Sequence, residues 1–128
     1  MFVRKALRLA TTRSAPLTAR ASLSTVPVQA KKFMALRYKY VDGMLDKRAP
    51  HRAGHLERVG KAEAEGKIAL GGAFNDPCDG ALVLFHEHVG EQEINSFAEG
   101  DPYVTAGLVT DWSVSEYMAV AGSLVDKA

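Results

Sequence analysis

Residues 68–85, IALGGAFNDPCDGALVLF, contain two short apolar segments separated by turn-forming residues. The segments at Ile68–Phe74 and Ala81–Phe85 have the length of β-strands, and Asp76-Pro77 through Asp79-Gly80 is typical of a reverse turn. The second segment is apolar without interruption, which indicates a strand buried on both faces. This stretch therefore predicts two strands joined by a turn, with the second strand central in a sheet.

Four further elements are predicted in the sequence before and after these two strands. Alternating apolar residues predict a first strand at Phe33–Val41, and Leu108–Val120 has the composition of a last strand. Helices are predicted from Lys47 to Gly66 and from Gly90 to Glu99, each with a glycine as its stop signal. The order β-α-β-β-α-β is that of the ferredoxin-like α+β fold with an antiparallel four-stranded sheet.

In such a fold the helices cover only one face of the sheet, and the other face must be polar or covered. The segment Ala81–Phe85 is apolar on both sides, and Trp112, Val114 and Met118 add apolar surface to one face of the last strand. Exposing apolar surface costs roughly 25 cal/mol per Å². We therefore expect a homodimer whose sheets pack face to face, as in a dimeric α/β-barrel.

The N-terminal segment 1–30 differs in composition from the rest of the chain. It carries five basic residues, seven Ser or Thr, and no acid. This composition is typical of a transit peptide, so we expect import into the mitochondrial matrix, with a plastid as the alternative. A basic tail without a targeting function stays open. The domain is expected to span residues 31–128.

The charge and cysteine content exclude several classes of protein. The net charge is +1, but without segment 1–30 the chain has 11 basic and 15 acidic residues, which argues against a nucleic-acid partner. No apolar run approaches the roughly 20 residues that span a bilayer, so we expect no membrane span. Cys78 is the single cysteine of the sequence, so an intrachain disulfide is impossible.

The first predicted helix carries two polar residues on its sheet-facing side. At 100° per residue, Val59 lies at roughly +40° from His55, Ala62 at roughly −20° and Arg52 at roughly +60°. Buried polar groups need partners, so the two side chains call for an explanation. One reading is a site in which Arg52 holds an anion and His55 moves a proton. The other is that both reach solvent or loop carbonyls at the helix end.

The other histidines suggest no strong metal motif. His51 and His55 are four residues apart, a spacing that lets two imidazoles share a metal, but Glu57 does not complete a His-Glu-x-x-His motif. His86 and His88 share one face at the end of the third strand. Two solvent-exposed histidines account for this pattern as well as a metal site does. We expect no metal site, and a metal or haem protein that uses His51, His55 or His86 stays a third hypothesis.

Asp101-Pro102-Tyr103 follows the glycine that ends the second predicted helix. Asp101 could cap the short turn that Pro102 opens. The same carboxylate could instead orient an imidazole, as in the pairing of base and orienting acid common in enzymes. The sequence alone does not bring Asp101 next to His55.

Three motifs resemble those of the YciI-like (YCII-related) family. Arg52–Leu56 resembles the family's Arg-x-x-His-Leu motif, and Gly71–Phe74 its Gly-Gly-x-Phe segment. The segment Gly100–Leu108 is similar to the family's Asp-Pro-Tyr-Val-x-Ala-Gly signature, the most specific of the three. The motifs occur in the family's order, and the resemblance covers Phe33 to Val120.

The resemblance implies a ferredoxin-like dimer with an active-site cleft that contains a histidine and an aspartate. By position these are His55 and Asp101 as the catalytic pair, with Arg52 and Tyr103 as substrate-binding residues. The family includes a dechlorinating lyase of aromatic-compound breakdown, but a shared fold does not transfer that chemistry.

Two functions follow from these expectations. The first is an enzyme without cofactor, of the lyase, isomerase or hydrolase type, acting on a small polar, aromatic or enolic metabolite. His55 would be its acid or base, Asp101 the orienting group, Arg52 the anion holder and Tyr103 a wall or donor. The second is a non-enzymatic dimer that binds a metabolite or serves as an accessory subunit of an organellar assembly.

Overall fold

The computed structural model describes residues 30–125, so the predicted transit peptide lies outside the described residues apart from Ala30. Four strands and four helices follow one another in this range. In chain order they are β1 (Lys31–Tyr40), α1 (Met44–Lys47), α2 (Ala49–Ala64), β2 (Ile68–Ala73), β3 (Gly80–His86), α3 (Glu91–Glu99), α4 (Pro102–Thr105) and β4 (Val109–Ala119).

The strands form one antiparallel sheet in the order β2-β3-β1-β4. β1 and β3 are its central strands, with Leu36 opposite Val83, and β4 pairs along the other side of β1. β2 pairs with β3 after a register shift between Ile68 and Leu70. The predicted α+β fold with a four-stranded antiparallel sheet and a central third strand is confirmed.

The predicted helix Lys47–Gly66 is wrong at its start, because two helices occupy this region. α1 ends at Lys47 and α2 begins at Ala49. A single helix running through Pro50 would place the proline ring against the carbonyl of Asp46, four residues earlier, so the chain breaks there. The predicted link 101–107 also contains a short helix, α4, which begins at Pro102.

The main core lies between the sheet and the helices. Leu36, Val83 and Phe85 from the central strands meet Ile94 and Ala98 of α3 there. Trp112 and Val114 of β4 pack against the same core, and the Trp112 indole donates a hydrogen bond to Asn95 of α3 at 3.0 Å. These two side chains therefore do not belong to the face for which we expected a covering subunit.

The opposite face of the sheet is part apolar and part charged, whereas the sequence pattern led us to expect an apolar face that needs a cover. Phe33, Ala35 and Leu84 form a small second cluster there. Further along β1 on the same face, Arg37 and Lys39 are exposed. The apolar part of this face therefore lies toward β2 and β3.

In the part of the chain that the structure describes, no helix is long and apolar enough to cross a membrane.

Candidate active site

The structure brings His55 and Asp101 together across 46 positions of sequence. His55 lies in the first half of α2, and Asp101 lies between the end of α3 and the start of α4. Nδ1 of His55 is 2.9 Å from each of the two carboxylate oxygens of Asp101. The Asp101 side chain is fully buried, whereas His55 keeps 14% of its side-chain surface exposed. One partner is therefore fixed in the interior while the other reaches the surface of the site.

The local sequence explains why Asp101 lies at this position. Gly100 ends α3, and Asp101 is the N-cap of α4, where Oδ1 accepts a hydrogen bond from the backbone N–H of Tyr103 at 2.9 Å. Pro102 follows at the first helical position, where a missing N–H costs nothing. The capping role considered for Asp101 is therefore real, and the same carboxylate also contacts His55.

Arg58 of α2 holds this junction in place. Its guanidinium donates hydrogen bonds to the backbone carbonyls of Phe97 at 2.9 Å and Ser96 at 3.2 Å, which are the last carbonyls of α3. A side chain at Gly100 would overlap the Arg58 guanidinium and would have to displace it from these carbonyls. Arg58 is thus a positioning residue that our sequence analysis missed.

Tyr38 of β1 supplies the third hydrogen bond to Asp101. Its hydroxyl donates to Oδ2 at 2.8 Å. Burial and, in second place, the Asp101 carboxylate raise the pKa of Tyr38 above its ordinary value, so the hydroxyl keeps its proton and remains a donor. In the sequence, Tyr38 is only one of the alternating apolar and aromatic residues of the predicted strand Phe33–Val41. The alternation of β1 places it on the helix side, but it gives no sign of the partner.

These contacts decide which nitrogen of His55 carries a proton. An ionised carboxylate has no proton to donate, and Tyr38 and the backbone N–H of Tyr103 already donate to Asp101, so Nδ1–H of His55 donates to it as well. In the neutral imidazole the other nitrogen, Nε2, then holds a lone pair. His55 lines a cavity, and because Nδ1 is engaged by Asp101, Nε2 is the ring nitrogen left for a molecule in that cavity. This is the arrangement of a general base whose tautomer is fixed by a carboxylate.

Tyr103 packs directly against the His55 ring. The two rings are parallel within 9°, with centroids 3.9 Å apart, and Tyr40 meets Tyr103 edge-on. Tyr103 is 1% exposed. Within residues 30–125 its hydroxyl is the one buried side-chain polar atom that lacks a hydrogen-bond partner. A buried hydroxyl without a hydrogen-bond partner costs free energy, so its occurrence in a residue that borders the site suggests a functional role.

The cavity beside His55 has a volume of about 160 Å³ and lies between α2 and the β2–β3 half of the sheet. Its walls are mostly apolar or aromatic, with Leu56, Val59 and Phe97 from the helices and Val83 from β3. On the β2 side the wall is formed by small residues that include Gly71 and Ala73. The site therefore combines a largely apolar cavity with a histidine base and the tyrosines that border it.

Two arginines at the start of α2 complete the lining. Arg52, which we expected on the sheet-facing side of the helix, is exposed but still borders the cavity. Arg48 precedes α2 as its N-cap residue, is half-buried and borders the same cavity. The sequence pattern does not single out Arg48, because only the folded structure brings its side chain to the cavity.

The remaining histidines do not join this site. In the described range, no group of three His, Cys, Asp or Glu side chains is arranged to hold a metal ion. The rings of His86 and His88 are nearly parallel, with centroids 6.1 Å apart, and His86 lies against Phe33 at the far end of the sheet.

Comparison with known proteins gives a family and a fold. The model of the YCII-related domain matches residues 32–118. No curated protein matches the chain significantly. A solved structure of a 5-chloro-2-hydroxyhydroquinone dehydrochlorinase from Burkholderia phenoliruptrix, in complex with 2,5-dihydroxybenzoquinone, is similar at 24% identity and a TM-score of 0.55. The alignment covers 73% of this chain and 99% of that one, and it shows a shared fold.

Two Tyr→Phe substitutions at the site should change stability in opposite directions. Tyr38→Phe removes a donor from the buried Asp101 carboxylate and should lower the free energy of unfolding by about 1–3 kcal/mol. Tyr103→Phe removes an unpartnered buried hydroxyl and should raise the free energy of unfolding by about 1 kcal/mol. Urea denaturation of the two variants and the wild type measures both changes. A loss of stability in Tyr103→Phe as large as in Tyr38→Phe would contradict the assignment of the Tyr103 hydroxyl.

Proposed function

The chain belongs to the YCII-related domain family, and from this premise and the geometry of its site we propose that it is a cofactor-free acid–base enzyme. Its substrate would be a small polar metabolite of enolic or aromatic type, and the reaction a lyase or isomerase step. The observation that carries this proposal is the His55–Asp101 pair, in which a buried carboxylate holds Nδ1 at 2.9 Å beside a cavity of about 160 Å³.

In the proposed reaction, the lone pair on Nε2 of His55 takes a proton from a C–H or O–H group of the bound substrate. The electron pair of the broken bond moves into the substrate, where an oxygen atom carries the negative charge as an enolate. The imidazolium that forms is stabilised by the Asp101 carboxylate. The proton then returns from Nε2 to another atom of the substrate, so side chains alone complete an isomerisation.

The remaining residues of the site would bind the substrate. Arg52, at the cavity edge, would hold an anionic group, and the Tyr103 hydroxyl, which has no partner among the described residues, would donate to a substrate oxygen. Donors that meet a developing oxyanion in a water-poor site are effective in catalysis. The mostly apolar walls of the cavity provide such a setting.

The catalytic role of His55 is tested by His55→Asn. The asparagine amide nitrogen can replace Nδ1 as the donor to Asp101, but the side chain has no counterpart of Nε2. We expect exchange of substrate C–H for solvent deuterium to slow by about 100-fold or more, the contribution typical of a general base. Proton NMR in deuterium oxide measures this exchange for a panel of small enolisable ring compounds. The panel includes 2,5-dihydroxybenzoquinone, the molecule bound in the similar structure.

The outcomes of this assay separate the two functions considered. Wild-type exchange that His55→Asn abolishes, with unchanged thermal unfolding, supports the enzyme. Equal exchange by wild type and variant argues against His55 as the base. If the wild type binds panel members but exchanges none of them, the protein is a metabolite-binding protein rather than an enzyme.

We also propose that the chain forms a homodimer through the apolar part of the open sheet face. Leu70 of β2 is 59% exposed there. It borders a shallow groove whose floor includes Leu82 and Leu84 of β3. Apolar surface of this kind is costly in water, and a two-fold copy of the same surface is its simplest cover.

Sedimentation equilibrium of the full chain tests the dimer. We expect a dimer for the wild type and a monomer for Leu70→Glu, because the substitution places a charge in the proposed interface. Leu45 of α1 is 55% exposed, so Leu45→Glu is a matched control and should remain dimeric. A monomeric wild type, or a dimeric Leu70→Glu variant, would argue against this interface.

A further inference from the structure

The size of the cavity limits what can bind beside His55. Its volume is about 160 Å³, and its walls are formed largely by apolar and aromatic side chains. A cavity of about 150 Å³ with apolar walls holds one benzene molecule. One six-membered ring therefore matches the available space, whereas two fused rings exceed it.

Gly71 determines this space on the β2 side. It pairs with Val83, whose side chain belongs to the helix-side core, so a substituent on Gly71 would point to the same side of the sheet. A Cβ built there would lie 3.5 Å from Cγ1 of Val83, an ordinary contact that strains nothing. Both residues border the cavity. An alanine at position 71 is therefore compatible with the fold, but its methyl group would occupy ligand space.

The polar groups of the cavity indicate which substituents the ring carries. Tyr103 borders the same cavity, and its buried hydroxyl has no partner within the described residues, so we take a ligand oxygen as the missing partner. Arg48 and Arg52 border the cavity at the start of α2, and neither makes an ion pair with another residue of the range 30–125. Two guanidinium groups at a helix N-terminus favour an anion.

We propose that the site is specific for monocyclic, six-membered-ring acids that carry an additional oxygen substituent, and that Gly71 sets the limit of one ring. Arg48 and Arg52 hold the acid group, the Tyr103 hydroxyl binds the oxygen substituent, and Val83 and Phe97 contact the ring. This proposal deepens the proposed function by naming the substrate class, and it rests on that function only for the choice of this cavity. It concerns binding, which is measured separately from turnover.

Isothermal titration calorimetry with simple ring acids tests the proposal. The probes are the three hydroxybenzoates, benzoate, phenol and 6-hydroxy-2-naphthoate. We expect at least one hydroxybenzoate to bind about tenfold more tightly than benzoate or phenol, the effect of one well-placed hydrogen bond or ion pair. The naphthoate, with two fused rings, should bind at least about tenfold more weakly than that hydroxybenzoate.

Three variants test which residues cause these differences in affinity. Gly71→Ala should weaken hydroxybenzoate binding by about tenfold or more. The same substitution at Gly60, an exposed position of α2 where a Cβ would meet nothing within 4 Å, should leave binding unchanged. Tyr103→Phe should remove the preference for hydroxybenzoate over benzoate while leaving benzoate binding intact. Thermal unfolding of each variant confirms that the fold persists.

Several results would overturn the proposal: no measurable binding of any probe, equal binding of the naphthoate, or full binding by Gly71→Ala. The proposed catalytic function can be contradicted while the binding specificity is supported, and the reverse is also possible. If the binding pattern holds but no ring compound exchanges its protons, the substrate class stands and the enzymatic function falls. If proton exchange depends on His55 but Gly71→Ala and the naphthoate make no difference, the enzyme stands and the specificity assignment falls.

Discussion

The buried carboxylate of Asp101 is the constraint on which the site depends. A carboxylate without solvent exposure must be surrounded by donors, and this fold brings them from three elements, Tyr38 of β1, His55 of α2 and the backbone of Tyr103 in α4. Meeting this requirement ties α2 and β1 to the α3–α4 junction. It also fixes the tautomer of His55, so the same contacts that stabilise the fold prepare a base.

The cavity, in contrast, exists because one of its walls lacks side chains that would fill it. Where β2 passes the start of α2, Gly71 leaves room that a larger residue would fill, and the aromatic and aliphatic walls keep this room largely apolar. The arginines lie at the start of α2, which has Pro50 in its first turn. Tyr103, the base His55 and two arginines thus border a space of about 160 Å³.

Much of the fold and part of the site could be predicted from the sequence. The uninterrupted apolar segment at Ala81–Phe85 predicted a central strand, and the order of elements predicted the sheet. Helical periodicity placed His55 on the inner side of α2, but the contact with Asp101 joins distant segments, and only the resemblance paired them. Tyr38 and Arg58 escaped notice because an aromatic in a strand and an arginine on a helix are ordinary locally. Their roles depend on partners 63 and 39 positions away.

The central claim is that Asp101 holds His55 with its proton on Nδ1 and leaves Nε2 free toward the cavity. The most direct measurement is the nitrogen-15 NMR spectrum of the histidine imidazoles at neutral pH, with His55 assigned through His55→Asn. We expect neutral His55 to be the Nδ1–H tautomer and Asp101→Asn to change this state. A neutral His55 with its proton on Nε2, or a tautomer mixture unaffected by Asp101→Asn, would contradict this claim.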